Sequence, residues 1–410
     1  MRSWPTVYIP PAPQFASHPP LRLLDSYTKQ SAEVTGAQIA SYVCGITPYD
    51  ATHLGHAATY ISFDLIHRFL IASGAEVTFV ENITDIDDPL LERAQRDNQD
   101  WRDLATSQIE LFRSDMTALH VIPPQRYQGV VESMETIVAL VKSYIDKSVT
   151  YQLDGDIYLD LSKVEGFPDN LPLSSEEALS IFSERGGDPD RPGKIHPLDP
   201  LLWRAKRDGE PFWNAEFGAG RPGWHVECVA IALENLPDAG STSITIQGGG
   251  SDLIFPHHYM TAMQAKALSN KEFAAHYVHA GMIGLDGEKM SKSKGNLIFV
   301  SKLLSQNVAP QALRLALIAQ HYQSDRMWSH ELLNRAEALL HKIEDALART
   351  EVAPTSPVIS EMVSALADNL NTPKVIQIIE TWCDCTIGGE TGGSAGEMSR
   401  ALDTYLGIAL

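Results

Sequence analysis

Apolar residues crowd into short runs along this chain, and the spacing within the runs changes from one to the next. Ile39–Cys44, in IASYVC, is a compact apolar stretch entered through turn-forming residues at Val34–Gln38, and it reads as a strand. A polar turn, TPYDATHLGH, follows. AATYISFDLIHRFLIASG then carries apolar residues at helical spacing and ends on Gly74. EVTFVENIT reads as a second strand. Strand, helix and strand in this order predict a βαβ unit and so a parallel sheet. Ligands of such sheets bind at the carboxyl ends of the strands, where Cys44 and Thr84 fall.

The pattern then loosens. Beyond about residue 90 come helical stretches, a hairpin-like VTYQLDGDIYLDL and the Gly/Pro/Asp-rich loop SERGGDPDRPGK. Strand-like runs resume with STSITIQGGGSDLIF and HYVHAGMIGL. After about residue 305 the runs are helical: APQALRLALIAQ, SHELLNRAEALLHKIEDALART and SEMVSALADNL. The expected layout is an N-terminal arm (1–40), the first half of a Rossmann-like α/β domain (41–110), an inserted connective region (111–200), the second half of that domain (201–305) and a C-terminal helical bundle (306–410).

Composition narrows this picture. A chain of 410 residues with 44% hydrophobic content supports a large core and more than one domain. A formal charge of −20 is unsuited to wrapping a nucleic acid, which needs clustered Lys and Arg. No apolar run reaches the roughly 18 residues of a membrane span, and the proline-rich start favours an extended arm over a signal sequence. Four cysteines in a chain this long are not a disulfide framework. The cytoplasm is the expected compartment.

Three constellations carry chemistry. His53, Leu54, Gly55 and His56 sit on the turn before the first helix. A helix N-terminus offers free N–H groups and a positive dipole end, and Gly55 lets backbone approach a ligand, so the turn suits phosphate. Histidines capping a solvated helix are the plain alternative. Lys289, Met290, Ser291, Lys292 and Ser293, within DGEKMSKSKGN, suit a loop that grips polyphosphate and neutralises a leaving pyrophosphate; a solvated basic loop is the alternative. Cys44, Cys228 and His257 offer two thiolates and an imidazole, natural zinc ligands. Taken singly, each reads first as a small buried hydrophobe or a satisfied histidine.

HLGH after the first strand and KMSKS far downstream together resemble the paired signature of class I aminoacyl-tRNA synthetases, which activate amino acids with ATP on a Rossmann-like fold. YVCGITPYDATHLGHA, ENITDIDDP, DPLLWR, GRPGWHVEC, GGGSDLIFPHH and GEKMSKSKGN follow the order of cysteinyl-tRNA synthetase. There zinc holds the substrate's thiolate, because a soft sulfur binds it well and serine's hydroxyl poorly. Three features depart from that synthetase. Thr261 stands where it supplies a glutamate ligand, the chain leaves little room for an anticodon-reading domain, and the charge suits tRNA badly. These departures, with ERGGDP at Glu184–Pro189 and TPYDATHLGHA, resemble the cysteine:glucosaminyl-inositol ligases of mycothiol biosynthesis.

The resemblance implies one zinc held by Cys44, Cys228 and His257, with a fourth tetrahedral position left for substrate sulfur. It implies phosphate contacts from His53, His56, Lys289 and Lys292, with Mg²⁺ accompanying ATP. Thr59, Gly250, Ser251, Asp252 and Ile283 are expected around the adenylate, and Cys44, Gly45, Ile46, Thr47, Asn82, Ile83, Thr84 and Trp224 around the cysteinyl part, Trp224 having core packing as its alternative. L-cysteine, ATP and glucosaminyl-inositol are the implied partners of a monomer, with neither tRNA nor membrane. A tRNA-charging enzyme and a silent cysteine- or adenylate-sensing paralogue are the competing readings. His258 is expected to neighbour the nucleotide site or play a structural part, and Cys383 and Cys385 to be free thiols.

Overall fold

The computed structural model describes residues 1–14, 16–50, 52–168, 171–285, 287–290 and 295–410. The N-terminal arm is tied down along its length: the Met1 ammonium meets Glu132 and the Tyr127 carbonyl, Trp4 Nε1 donates to the Val121 carbonyl at 2.8 Å, and Thr404 donates to the Pro10 carbonyl at 3.0 Å. A small hairpin, β1 (Arg22–Leu24) and β2 (Ser31–Glu33), leads into the sheet.

The first βαβ unit is β3 (Gln38–Val43), α1 (Leu54–Ala72) and β4 (Glu76–Ile83). Two helices, α2 (Asp88–Arg96) and α3 (Trp101–Ala118), cross to β5 (Arg126–Gly129), and α4 (Met134–Asp146) follows. An antiparallel sheet comes next: β6 (Thr150–Leu153), β7 (Asp156–Leu159), β8 (Leu201–Ala205) and β9 (Gly220–Pro222), with α5 (Ser175–Glu184) between β7 and β8. The chain returns through α6 (Trp224–Asn235), β10 (Thr242–Gly250), α7 (Tyr259–Ser269) and β11 (Glu272–Ala280).

The central sheet has the order β11-β10-β3-β4-β5 and every pairing in it is parallel. This is the Rossmann-like α/β sheet anticipated from the alternation, and the order in which strands are added reverses between β3 and β10, the switch point where a ligand crevice opens. Two details differ from the sequence reading. β5 belongs to this sheet although it lies inside 111–200; four residues, RYQG, carry too little alternation to announce a strand. β8 and β9 join the hairpin of the insert, not the central sheet, because short runs specify strand formation but not partner.

β12 (Ile283–Leu285), β13 (Glu288–Lys289) and β14 (Arg326–Trp328) form a separate three-stranded sheet that leads into and out of the KMSKS segment. α8 (Val300–Ser305) precedes the helical region, α9 (Pro310–Ile318), α10 (His330–Leu347), α11 (Ser356–Ala367), α12 (Thr372–Ile387) and α13 (Ala395–Leu406).

α1 is the axis of the molecule. It is buried nearly all round and packs on β4 and β10 on one side and on α9 and α13 on the other. Phe63, Phe69, Ile66 and Leu70 are within the core, each contributing roughly 1.5–3 kcal/mol by leaving water. The first glycine of the GGG run is what lets α1 lie so close: a Cβ on Gly248 would come within 2.2 Å of the Phe63 ring. Asp64, midway along α1, is fully buried. It accepts from Arg68 Nε at 2.8 Å, from the Ile122 amide at 2.8 Å and from Arg314 of α9, while Arg68 also donates to the carbonyls of His120 and Asp403. Burial alone would raise the Asp64 carboxyl. The two guanidinium groups and the amide outweigh it and hold the group below the usual carboxylate range.

Candidate active site and metal centre

β3 ends at Val43, so Cys44 stands at the carboxyl edge of the sheet, its amide bonded to the Gly248 carbonyl of β10 at 3.0 Å. α6 brings Cys228 from one side, and the kinked turn before α7 brings His257 and His258 from another. The sulfur atoms of Cys44 and Cys228 are 4.0 Å apart, and His257 Nε2 is 3.2 Å from Cys228 Sγ. His258 Nε2 lies 3.1 Å from Cys44 Sγ, and donor atoms of Cys44, His257 and His258 lie within 4.8 Å of one another.

A tetrahedral zinc with Zn–S near 2.3 Å and Zn–N near 2.0 Å sets its donors roughly 3.5–3.8 Å apart; the Cys44–Cys228 and Cys228–His257 separations stand to either side of that range, and His258 is a further donor within the same cluster. The two thiols tend in opposite directions. The Cys44 hydrogen bond pulls the Cys228 thiol well below its ordinary value against the cost of burial, with His257 and Tyr42 adding to the effect, toward the thiolate that a metal takes; burial and the neighbouring sulfur push Cys44 up, toward the neutral thiol. Burial holds His225 and His258 neutral. The two adjacent histidines differ in role. His257 faces the large cavity above the sheet and is stacked on Trp224 with centroids 4.3 Å apart. Its Nδ1 is 3.0 Å from His225 Nδ1. His258 is enclosed behind Cys44 and meets His279 Nε2 at 2.7 Å.

Thr261 is wholly buried. Its hydroxyl donates to the His258 carbonyl at 2.8 Å and accepts from Gln247 Nε2 at 2.9 Å, so this side chain is engaged inside α7 and offers no charge to a metal.

The cavity measures about 2010 Å³. His53 is the N-cap of α1, its Nδ1 accepting from the Gly55 amide at 3.1 Å, and His56 lies in the first turn with its ring stacked 3.7 Å from that of His53. Both line the cavity, as do Gly45, Ile46, Thr47, Thr59, Asn82, Thr84, Trp224, Gly250 and Asp252. Gly45 has no room for a side chain: a Cβ would sit 1.6 Å from the Asn82 carbonyl oxygen. Asn82 is itself fixed, its Oδ1 accepting from the Gly45 amide at 2.9 Å and Tyr42 at 3.0 Å while Nδ2 donates to Thr84 at 3.2 Å.

Not every residue marked from sequence reaches the space. Ile83 and Ile283 are core side chains, and Ser251 is half-buried beside the cavity without lining it. The backbone of Lys289 lies in β13, and Met290 reaches the cavity wall. Ser291, Lys292 and Ser293 fall outside the described residues.

Sequence reasoning left a further set of cavity-lining charges unread. Asp87, Asp88, Arg204, Glu210, Arg221 and Glu227 all line the cavity. Arg204 pairs with Asp88 at 3.1 Å and Glu210 at 3.2 Å; Arg221 pairs with Glu210 at 3.1 Å and with Asp88. Asp87 caps α2 by accepting from the Asp88 amide at 2.8 Å. Burial, and then the Asp88 charge, raise its carboxyl to about 6. Arg185 of the ERGGDP loop donates to the Asp252 carbonyl at 2.5 Å, joining the insert to the nucleotide side. The acidic pair was visible in ENITDIDDP, but nothing in the spacing said that it shares a cavity with α6.

A family model described as the tRNA synthetases class I (C) catalytic domain matches residues 30–338. Among solved structures, the chain is similar to methionyl-tRNA synthetase of Mycobacterium tuberculosis in complex with methionyl-adenylate, with TM-score 0.61, 16% identity, and 90% of this chain and 88% of that one covered. The protein therefore has the class I aminoacyl-tRNA synthetase catalytic fold. It is 51% identical to the L-cysteine:1D-myo-inositol 2-amino-2-deoxy-alpha-D-glucopyranoside ligase of Nakamurella multipartita and 48% identical to that of Mycobacterium tuberculosis, in each case over 100% of both chains. The chain belongs to this family of cysteine ligases.

Proposed function

We propose that the protein joins L-cysteine to the amine of glucosaminyl-inositol in mycothiol biosynthesis, through a cysteinyl-adenylate and at the expense of ATP. The observation that carries this reading is the Cys44, Cys228 and His257 cluster set beside the N-terminus of α1 in one cavity, in a chain matched end to end by ligases of that name.

In the first half-reaction a cysteine carboxylate oxygen attacks the α-phosphorus of ATP. The bond from that phosphorus to the bridging oxygen breaks, and pyrophosphate leaves with the electron pair. Little covalent work falls to the protein, so positioning and charge stabilisation dominate. The α1 N-terminus, His53 and His56 face the phosphates, and Lys289 and Lys292 of the KMSKS segment neutralise the departing charge. Thr59, Gly250 and Asp252 surround the adenylate. Gly45, Ile46, Thr47, Asn82, Thr84 and Trp224 hold the cysteinyl part. Mg²⁺ accompanies ATP.

Cys44, Cys228 and His257 would hold one zinc ion, whose part is to select a soft thiolate over a hydroxyl. Thr261 supports a three-residue ligand set, since its hydroxyl is occupied within the fold. In the second half-reaction the acceptor nitrogen attacks the cysteinyl carbonyl carbon and the bond to the phosphate oxygen breaks. AMP leaves, the nitrogen gives up a proton, and an amide remains. The chain is read as a monomer that does not use tRNA.

The test has three readouts on zinc-replete protein. Pyrophosphate should exchange into ATP with cysteine but not with serine. Addition of glucosaminyl-inositol should yield the amide and stoichiometric AMP. Charging of tRNA with cysteine in place of amide formation would make the chain a synthetase. Absence of any cysteine-dependent exchange would make it a silent paralogue.

A further inference from the structure

The cavity is far larger than the roughly 300–1,000 Å³ that holds a small ligand. Two carboxyl groups assigned to neither cysteine nor ATP line the same space. Glu227 lies in the first turn of α6, one residue before Cys228, and is 2% exposed. It makes no hydrogen bond among the described residues, and its Oε2 is fully buried without a partner. A buried acceptor left in this state is costly, so a ligand that supplies a donor is favoured there. Asp87 stands beside it at the α2 N-cap with Oδ1 engaged by the Asp88 amide. Burial, and then the charge of Asp87, push the Glu227 carboxyl well above its ordinary value, with Arg221 acting the other way.

The neighbouring arginines do not satisfy this pair. Arg204 and Arg221 are both taken up by Asp88 and Glu210 in a closed ring of four charges. No ion pair within 4.0 Å reaches Asp87 or Glu227 among the described residues. The result is a buried acceptor oxygen and a neighbouring carboxyl on one cavity, rimmed by a polar ring. Such a surface takes an amine carried on a hydroxyl-rich body: the amine N–H groups donate to the free carboxyl oxygens, and ring hydroxyls exchange hydrogen bonds with the Arg204, Asp88, Arg221 and Glu210 edges.

We propose that Asp87 and Glu227 form the seat of the acceptor amine, holding the aminosugar nitrogen by hydrogen bonds, with the four-charge ring as the wall for its polyol. This rests on the ligase reading above and adds the residues that choose the second substrate. No covalent step is assigned to either carboxyl; their part is positioning.

Asp87→Asn and Glu227→Gln, made separately, test it. For each, three rates are measured on zinc-loaded protein, together with zinc content: cysteine-dependent pyrophosphate exchange, amide formation with glucosaminyl-inositol, and hydroxamate formation with hydroxylamine, a small nucleophile that needs no seat. The seat predicts a fall of about ten- to a hundredfold in kcat/KM for the aminosugar, with its KM raised. Exchange, hydroxamate formation and bound zinc stay within about threefold of the parent. A parallel fall of exchange and ligation overturns the proposal, because the carboxyls then serve cysteine or the fold. Unchanged kcat/KM for the aminosugar also overturns it. If the parent enzyme exchanges pyrophosphate but makes no amide with glucosaminyl-inositol, the ligase reading itself has failed, and the seat falls with it.

Discussion

Cys228 concentrates the most consequences in one side chain. It touches Cys44 at 4.0 Å and His257 at 3.2 Å, and its thiol is the one drawn toward the thiolate. Cys228→Ala removes a donor that neither neighbour can replace. The expected outcome is loss of zinc and of cysteine activation together, read by metal analysis and pyrophosphate exchange on the same sample; full metal occupancy in the variant would contradict the ligand set. These residues were legible because Cys and His are rare and chemically pointed. Asp87 and Glu227 were not. Acidic residues are common, and only the fold brings a helix cap near residue 87 against the first turn of α6. His258 was ambiguous for the opposite reason: sequence gives two adjacent histidines, and only the kink before α7 turns one toward the cavity and the other behind Cys44.

Among the elements, the β3–α1–β4 unit and the β10 strand were readable from periodicity, since apolar runs bounded by glycine and turn residues specify their own class. β5 was missed for want of length. What periodicity cannot convey is the tightness of the turn after β3. Gly45 packs so closely on the Asn82 carbonyl that a methyl group would overlap it. Gly45→Ala must push the turn away from β4 and break the Gly45 to Asn82 bond at 2.9 Å. Its expected effect is a rise in the KM for cysteine of at least about tenfold, with thermal stability lowered by about 1–3 kcal/mol. Steady-state exchange kinetics and a denaturation curve separate the two. An unchanged KM would mean that the turn relaxes without disturbing the cysteinyl side.

At the scale of the whole molecule, the Asp64 knot binds α1 to α9, to the approach to β5 and to the end of α13. Breaking one partner of a buried ion pair leaves the others uncompensated, at a cost of about 3–5 kcal/mol. Asp64→Ala should therefore lower unfolding free energy by about that amount, while the site residues keep their contacts. The sign with pH follows from the depressed carboxyl: the knot contributes fully above the ordinary aspartate range and is lost as pH falls through the lower folded-state value. Acid denaturation of parent and variant should converge at low pH; curves that stay parallel would remove Asp64 from the account.

The chamber above the sheet has room for both substrates at once, and this shapes what happens when only one is present. A cysteinyl-adenylate is a mixed anhydride, and on the proposed reaction water shares the rest of the space until the aminosugar arrives. The expected outcome is slow, cysteine-dependent release of AMP without acceptor, suppressed when glucosaminyl-inositol is added; no AMP release in its absence would contradict this.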